Sequence, residues 1–285
     1  MIYVILMSII LSIGSCQKND FPLTSAFPEQ TFLNISYGTD SAQKMDIYLP
    51  PARSKDSTKV IMLIHGGAWN GGDKDDFASY ITLLKKKLPD YAIVNINYRL
   101  ATQRTNHFPA QENDLRSAID FLYKERENYQ LSENLVLLGA SAGAHLALLH
   151  AYKHINPVKI QSVISFFGPT DLASMYNSIT NSYYQWAMQV LIGGTPANNI
   201  DAFQQSSPLF FANANSCPTL LLHGAKDPLV PVSHSKILSN KLKAAGVETK
   251  LVIYPNEGHG WYGATLENSF ERIATFLQEN VDLKK

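Results

Sequence analysis

The sequence has 285 residues, 45% of them hydrophobic and 17% charged, which is enough for one domain with a large buried core. The 24 Lys and Arg residues balance the 24 Asp and Glu residues, so the formal net charge is zero. Because proteins bind nucleic acids largely by neutralising phosphates with basic side chains, this balance argues against a nucleic-acid partner.

The N-terminal segment is uncharged through Gln17 and almost wholly apolar from Ile2 to Ile13. A helix of that length, rising about 1.5 Å per residue, is too short for the roughly 30 Å hydrocarbon core of a bilayer. The pattern is typical of a secretion signal, predicted here over residues 1–15. The stretch "IGSC", which ends at Cys16, resembles the bacterial lipobox, in which a cysteine behind small residues is cut and lipid-modified.

This resemblance implies that Cys16 is a lipidation site. It predicts an exported outer-membrane or cell-surface lipoprotein that contacts a membrane only through its lipid. A plainly cleaved signal peptide, giving a periplasmic or secreted protein, is the alternative. Labelled palmitate that enters the wild type but not a Cys16→Ala variant would support lipidation, and its failure to enter either would exclude it.

Residues 16–29 are predicted to be a tether, because they are mostly polar and include two prolines. Residues 30–285 are predicted to form one domain. If Cys16 carries lipid, Cys217 has no partner for an internal disulfide. Cys217 precedes a strand-like run, so it is expected to be a small buried residue.

Strand and helix patterns alternate after the tether. The β-rich runs are "TFLNISY", "KMDIYLP", "VIMLIHG", "AIVNINYRL", "NLVLLGA", "IQSVISFFG", "TLLLHGA" and "KLVIYPN". Several are almost continuously apolar, which is typical of strands buried on both faces of a parallel sheet. The first two alternate more strongly and are predicted to be antiparallel edge strands. The alternation predicts an α/β sheet with helices on both faces.

Two helical patterns between the strands have a clear apolar face. In "NDLRSAIDFLYK" the face consists of Leu115, Ala118, Ile119 and Leu122. In "SKILSNKLKAAG" it is predicted to consist of Ile237, Leu238 and Leu242.

A glycine-containing turn, His65-Gly66-Gly67-Ala68-Trp69, follows the third β-rich run. Backbone N–H groups in such a turn can stabilise an oxyanion at a nearby reaction centre. Gly67 and Ala68 are predicted to supply two such donors, and Trp69 is predicted to contact substrate. An ordinary tight turn with Trp69 as a packing residue is the alternative.

The sequence Gly-Ala-Ser-Ala-Gly around Ser141 joins the fifth β-rich run to a helical pattern. This is the arrangement of a nucleophile elbow, in which a sharp turn exposes a serine. Positions 139 and 143, both glycine, are expected to require small residues because larger side chains would collide with neighbouring elements. The helix start places the free N–H group of Ala142 beside the serine, so Ala142 is predicted to be the third oxyanion donor.

The segment from Leu172 to Phe211 shows no strand pattern and carries several aromatic residues. It is predicted to be a helical cap inserted over about residues 172–211, which would cover the site. One amphipathic helix followed by a surface loop is the alternative. Its aromatic residues include Tyr176, Tyr183, Tyr184, Trp186 and Phe203.

Two polar residues follow the last two β-rich runs, Asp227 in "HGAKDPLVP" and His259 in "NEGHG". A serine is a weak nucleophile at neutral pH and needs a base that a carboxylate orients. The order Ser141, Asp227, His259 is the one expected at such strand ends, and these three are predicted to be catalytic. Asp171 and Glu257 are rival carboxylates, but neither directly follows the strand before that of the histidine.

These motifs together resemble the α/β-hydrolase superfamily, specifically the carboxylesterases related to hormone-sensitive lipase. From about Tyr37 onward, "HGGAW", "NYRL", "GASAGAHLA", "HGAKDPLVP" and "NEGHGW" occur in the family's order. The chain is most similar to bacterial esterases that act on feruloyl and acetyl-xylan groups. The resemblance implies an α/β-hydrolase fold with a mostly parallel eight-stranded sheet, and esterase activity. Ala68 stands where the family usually has a third glycine, a change that keeps the backbone donor.

The expected function is hydrolysis of carboxylic esters through an acyl-enzyme, with short acyl, feruloyl or acetyl esters on plant polysaccharide as substrates. This chemistry requires no cofactor and no metal, and the histidines lack a paired ligand spacing such as H-E-x-x-H. Two alternatives stay open. One is a serine peptidase or amidase of the same fold, and the other is a non-catalytic glycan-binding surface lipoprotein.

Overall fold

The structure is a computed structural model that describes residues 27–154 and 158–282. The predicted signal segment, Cys16 and most of the predicted tether lie outside these residues. Within the described ranges, no helix is both long enough and apolar enough to span a bilayer. Cys217 is buried with a free thiol, as its position before a strand predicts.

The strands of the described residues form one sheet. They are β1 (Gln30–Ser36), β2 (Lys44–Leu49), β3 (Val60–Ile64), β4 (Ala92–Ile96), β5 (Leu135–Ala140), β6 (Ile160–Phe166), β7 (Thr219–Gly224) and β8 (Thr249–Tyr254). Their order across the sheet is β1-β2-β4-β3-β5-β6-β7-β8. β2 is antiparallel to both β1 and β4, and every other neighbouring pair is parallel. The predicted eight-stranded, mostly parallel sheet is confirmed, although β1 alone of the two antiparallel strands lies at the edge.

Helices connect the strands and cover both faces of the sheet. They are α1 (Ala78–Lys87), α2 (Ala110–Tyr129), α3 (Ala142–Lys153), α4 (Leu172–Ser178), α5 (Ser182–Ile192), α6 (Ile200–Gln205), α7 (Pro208–Phe211), α8 (Ser233–Ala244) and α9 (Gly263–Leu277). A short 3-10 helix (Lys74–Phe77) precedes α1, and a π-helical turn (Gln278–Asp282) follows α9.

The central strand β3 shows why the sheet needs helices on both sides. All of its residues are buried, and alternate side chains point to opposite faces. Met62 and Ile64 pack in the core that α2 and α3 cover, whereas Ile61 and Leu63 pack in the core that α1 and α9 cover. The nearly continuous apolar run in the sequence is therefore the pattern of a strand with no solvent face.

The predicted apolar face of α2 is buried throughout, but that of α8 differs from the prediction. Leu238 and Leu242 are buried, whereas Ile237 is 53% exposed. Its assignment to the buried face is wrong, because Ser235 and Ser239 lie at helical spacing from the two leucines and complete that face instead.

Four short helices, α4 to α7, occupy the segment between β6 and β7. They coincide with the range predicted for a helical insertion. Ala187, Met188 and Leu191 of α5 pack into the core, while Tyr183 and Trp186 of the same helix are exposed. The insertion is thus anchored by one face of α5 and presents aromatic side chains on the other.

Candidate active site

Ser141 lies at the junction of β5 and α3 in a strained backbone conformation, with φ 52° and ψ −118°. The turn is tightly enclosed. A Cβ atom on Gly139 would lie 2.3 Å from the backbone of Gly143, and one on Gly143 would lie 1.9 Å from the carbonyl oxygen of Ile64. Glycine is therefore required on both sides of the serine by the close approach of α3 to β5 and β3.

His259 connects Ser141 to Asp227 by two hydrogen bonds. The Ser141 hydroxyl lies 2.9 Å from Nε2 of His259, and Nδ1 of His259 lies 2.7 Å from Oδ2 of Asp227. Since the carboxylate can only accept, Nδ1–H donates to Asp227 and the unprotonated Nε2 accepts from the serine. The structure thus brings together the three residues predicted to be catalytic, in the tautomer that lets a histidine act as a base toward the serine.

Asp227 is held as an anion by the groups around it. Its Oδ1 accepts from the backbone N–H groups of Leu229, at 2.8 Å, and Val230, at 2.9 Å. Burial of the Asp227 side chain raises the pKa of the carboxyl, but hydrogen bonds from His223, His259 and the Val230 N–H group outweigh burial. The pKa of Asp227 is consequently held well below its usual range, and the carboxylate stays charged where it contacts the imidazole of His259.

The rival carboxylates are engaged elsewhere. Asp171 caps the start of α4 by accepting from the N–H group of Ser174 at 3.0 Å, and Glu257 accepts from the hydroxyl of Thr265 at 2.8 Å. Neither forms a hydrogen bond to His259 within the described residues.

The loop after β3 lies against the serine turn. A Cβ atom on Gly66 would lie 3.4 Å from the Cβ atom of Ser141. The next three residues have left-handed backbones, with φ 105° at Gly67, 49° at Ala68 and 62° at Trp69. Among the residues that the structure describes, none accepts a hydrogen bond from the N–H of Gly67 or Ala68.

Ala142, the third predicted donor, is the first residue of α3. Its N–H group has no intrahelical acceptor, because the first four N–H groups of an α-helix are unpaired within the helix. The structure therefore places free backbone donors of Gly67, Ala68 and Ala142 on two segments that meet at Ser141, an arrangement suited to stabilising an oxyanion.

The structure places the side chain of Trp69 in the core rather than at a surface that a substrate could reach. Its side chain is 2% exposed, and its indole N–H donates to Nδ1 of His145 at 3.1 Å. His145 in turn donates from Nε2 to the carbonyl oxygen of Ser206 at 2.5 Å. The prediction that Trp69 binds substrate is wrong, because both its ring and its polar atom are committed to holding the loop against α3 and the helical insertion.

Four of the five histidines that are buried outside the triad of Ser141, His259 and Asp227 are expected to make stability sensitive to acid: His65, His145, His150 and His234. Burial lowers the pKa of His65, that of His145 to about 4, that of His150 to about 3 and that of His234 to about 4. In the unfolded chain these side chains bind protons near pH 6.5, which is above the native values.

We therefore expect the free energy of unfolding to fall as the pH drops from about 6.5 toward 4, since the unfolded state then binds more protons. Each of these histidines can contribute a slope of up to about 1.4 kcal/mol per pH unit. Asp227, with its lowered pKa, adds to the loss only below about pH 4. Urea unfolding midpoints measured across the interval test this, and a midpoint that does not move would contradict it.

No group of three or more His, Cys, Asp or Glu side chains in the described ranges has the arrangement of a metal site. The titratable groups near Ser141 are instead the hydrogen-bonded pair of Asp227 and His259.

Comparison with known proteins decides the family. A family model described as BD-FAE matches residues 45–242, which include Ser141 and Asp227. The chain belongs to the BD-FAE family. The esterase LipC of Mycobacterium tuberculosis is 23% identical over 261 residues, which cover 86% of this chain and 64% of LipC. This BD-FAE chain thus spans less than two thirds of the length of that curated relative.

Solved structures agree on the fold. A structure described as a bifunctional GH43-CE of Bacteroides eggerthii has a TM-score of 0.77 at 28% identity, over 88% of this chain and 38% of that one. A truncated form of a carbohydrate esterase from gut microbiota has a TM-score of 0.73 at 23% identity, over 89% of this chain and 99% of that one. This member of the BD-FAE family has the α/β-hydrolase fold.

Two supporting residues of this BD-FAE protein were not predicted to act at the site. Tyr98 stacks on the ring of His65 and donates to its carbonyl oxygen at 3.0 Å, which holds the loop after β3. His223 donates to the carbonyl oxygen of Val230 at 2.8 Å, and its Nε2 lies 3.4 Å from Asp227. The motifs "NYRL" and "HGAKD" contained both residues, but their contacts depend on distances between strands that the motifs do not state.

Proposed function

We propose that the protein is a serine carboxylesterase that hydrolyses carboxylic esters through an acyl-enzyme intermediate. The observation that carries this proposal is the unbroken hydrogen-bonded series from Ser141 through His259 to Asp227, at 2.9 Å and 2.7 Å. The likeness to LipC, which is described as an esterase, supports the same class of reaction.

In the proposed reaction, Oγ of Ser141 attacks the ester carbonyl carbon while its proton passes to Nε2 of His259. The tetrahedral intermediate then loses the alcohol, whose oxygen takes the proton back from Nε2. Water attacks the acyl-enzyme in the same way, giving a proton to His259 that returns to Oγ as the acid leaves. The Asp227 carboxylate orients the imidazole and stabilises the imidazolium that forms twice in each cycle.

The negative charge on the carbonyl oxygen is proposed to lie among the N–H groups of Gly67, Ala68 and Ala142. Donors fixed before substrate arrives need no reorganisation when charge develops, which is the main advantage of such a site. The left-handed backbone of the loop and the buried anchor of Trp69 both serve this fixed orientation.

The proposed substrates are acetyl or feruloyl esters on plant polysaccharide. Two similar solved structures are described as a bifunctional GH43-CE and a carbohydrate esterase, which supports a carbohydrate-linked ester. An exported protein, as the N-terminal sequence predicts, would meet such a polymer outside the cell.

Labelling with a fluorophosphonate tests the serine mechanism, and a substrate panel tests which class of substrate the protein hydrolyses. We expect intact-mass analysis to show one covalent adduct on the wild type and none on Ser141→Ala. The panel consists of acetylated xylan, methyl ferulate, p-nitrophenyl acetate and a peptide amide. Turnover of the amide without turnover of any ester would replace the esterase proposal with a peptidase. The absence of any adduct on the wild type would replace it with a binding protein.

A further inference from the structure

We propose that Tyr183 and Trp186 form a platform that binds a pyranose ring of the polysaccharide main chain carrying the ester. This inference rests on the proposed function and specifies how its substrate is held. The two residues are called the aromatic platform below.

The aromatic platform is an exposed pair on one face of α5. Tyr183 is 49% exposed and Trp186 is 38% exposed. Their ring centroids are 5.7 Å apart and the ring planes differ by 36°, so the two rings are neighbours that are tilted toward each other rather than an edge-to-face pair. Residues three apart in a helix share a face, and the buried residues on the opposite side of α5 fix which way this face points. Two neighbouring aromatic rings that are both partly exposed offer a contiguous apolar surface to a ligand.

The platform is attached to the loop that carries the proposed oxyanion donors. The Tyr183 hydroxyl donates to Oδ1 of Asn70 at 3.1 Å. The N–H group of Asn70 donates to the carbonyl oxygen of Gly67 at 3.2 Å. The Asn70 side chain therefore links the platform directly to the loop after β3, whose Gly66 lies against Ser141.

The first turn of α5 therefore lies beside the loop after β3, because Tyr183 belongs to that turn and bonds to Asn70 of the loop. A polymer whose ester reaches Ser141 past this loop would pass over the same turn.

A neutral sugar ring fits the chemistry of this surface. Helix α5 contains no charged residue. The two rings offer an apolar face to the C–H groups of a pyranose. The indole N–H of Trp186 and the amide nitrogen of Asn70 have no acceptor among the described residues, so both can donate to sugar hydroxyls at the ring edges.

Binding is tested first without catalysis. In a Ser141→Ala background, we expect titration calorimetry to detect binding of an unesterified xylo-oligosaccharide. Adding Trp186→Ala should weaken this binding at least about tenfold, and adding Trp186→Phe, which keeps a ring, should weaken it less. Phe210→Ala is the matched control, because Phe210 is an equally exposed aromatic residue of the insertion that lies outside the platform. Equal affinity for all four proteins, or no binding by any, would overturn the proposal.

Specificity is tested next, in proteins that retain Ser141. Trp186→Ala and Tyr183→Ala are expected to lower the ratio of kcat/KM on acetylated xylan to kcat/KM on p-nitrophenyl acetate at least about tenfold. Phe210→Ala should leave the ratio unchanged. An unchanged ratio in the platform variants would reject the platform while leaving the esterase proposal intact. A loss confined to methyl ferulate would show that the platform binds the acyl group, which also overturns the sugar assignment.

Discussion

Replacing Ser141 with alanine should lower kcat on p-nitrophenyl acetate by a factor of about 10⁴ or more. The change removes the oxygen that lies 2.9 Å from Nε2 of His259 and leaves the imidazole with no nucleophile to activate. Since the alanine retains the backbone donors of the neighbouring segments, a small residual rate above the uncatalysed reaction is expected.

A second substitution, at His259, distinguishes loss of this mechanism from loss of activity through misfolding. His259→Ala should cost about as much as Ser141→Ala, and the double variant should cost little more than either, because the residues act as one unit. Circular dichroism and urea unfolding should show that each variant stays folded. Multiplicative losses in the double variant would show that the two residues do not act as one unit, and a Ser141→Ala protein that retains substantial activity would show that the serine is not the nucleophile.

Gly143→Ala is expected to have the largest effect on stability. The added Cβ atom would lie 1.9 Å from the carbonyl oxygen of Ile64 and 2.4 Å from that of His65, both of them backbone atoms. Relief requires α3 to move away from β3, which would break core packing and displace Ser141. We expect a loss of at least about 3 kcal/mol in the free energy of unfolding, or failure to fold.

Gly71→Ala is the control for this prediction. Its Cβ atom would meet only the carbonyl oxygen of Gly67, at 3.6 Å, which is an ordinary contact. Its effect on the urea midpoint should correspond to less than about 0.5 kcal/mol. Similar midpoints for the two alanine variants would mean that α3 does not approach β3 as closely as described.

Sequence patterns anticipated those parts of the molecule that depend on short-range chemistry. The unbroken apolar run of β3 predicted a strand buried on both faces. The glycines around Ser141 predicted a turn too tight for side chains, and Cβ atoms at Gly139 and Gly143 would indeed collide with backbone atoms. Asp227 and His259 were placed by their positions after two successive strands, and a parallel sheet brings such positions to one edge.

Features that depend on distant partners were not predictable in this way. Trp69 can be buried because His145, 76 residues further along the chain, accepts a hydrogen bond from its indole N–H group. Ile237 is exposed although it fits an apolar helical stripe, because the neighbouring Ser235 and Ser239 face the core. In both cases the residue type was compatible with two environments, and the packing of other elements selected one.

The position of β8 has a consequence for how the protein would lose activity. Among the strands that the structure describes, β8 is the last of the sheet and pairs only with β7, and most of its residues are half-buried, whereas β5 lies between two neighbours in the interior. The proposed nucleophile, Ser141, thus follows a strand that is well protected from local opening. The proposed base, His259, follows one of the strands that are least protected from it. Amide exchange should reveal opening at this margin before the rest of the sheet, so chemistry can stop while most of the molecule is still native.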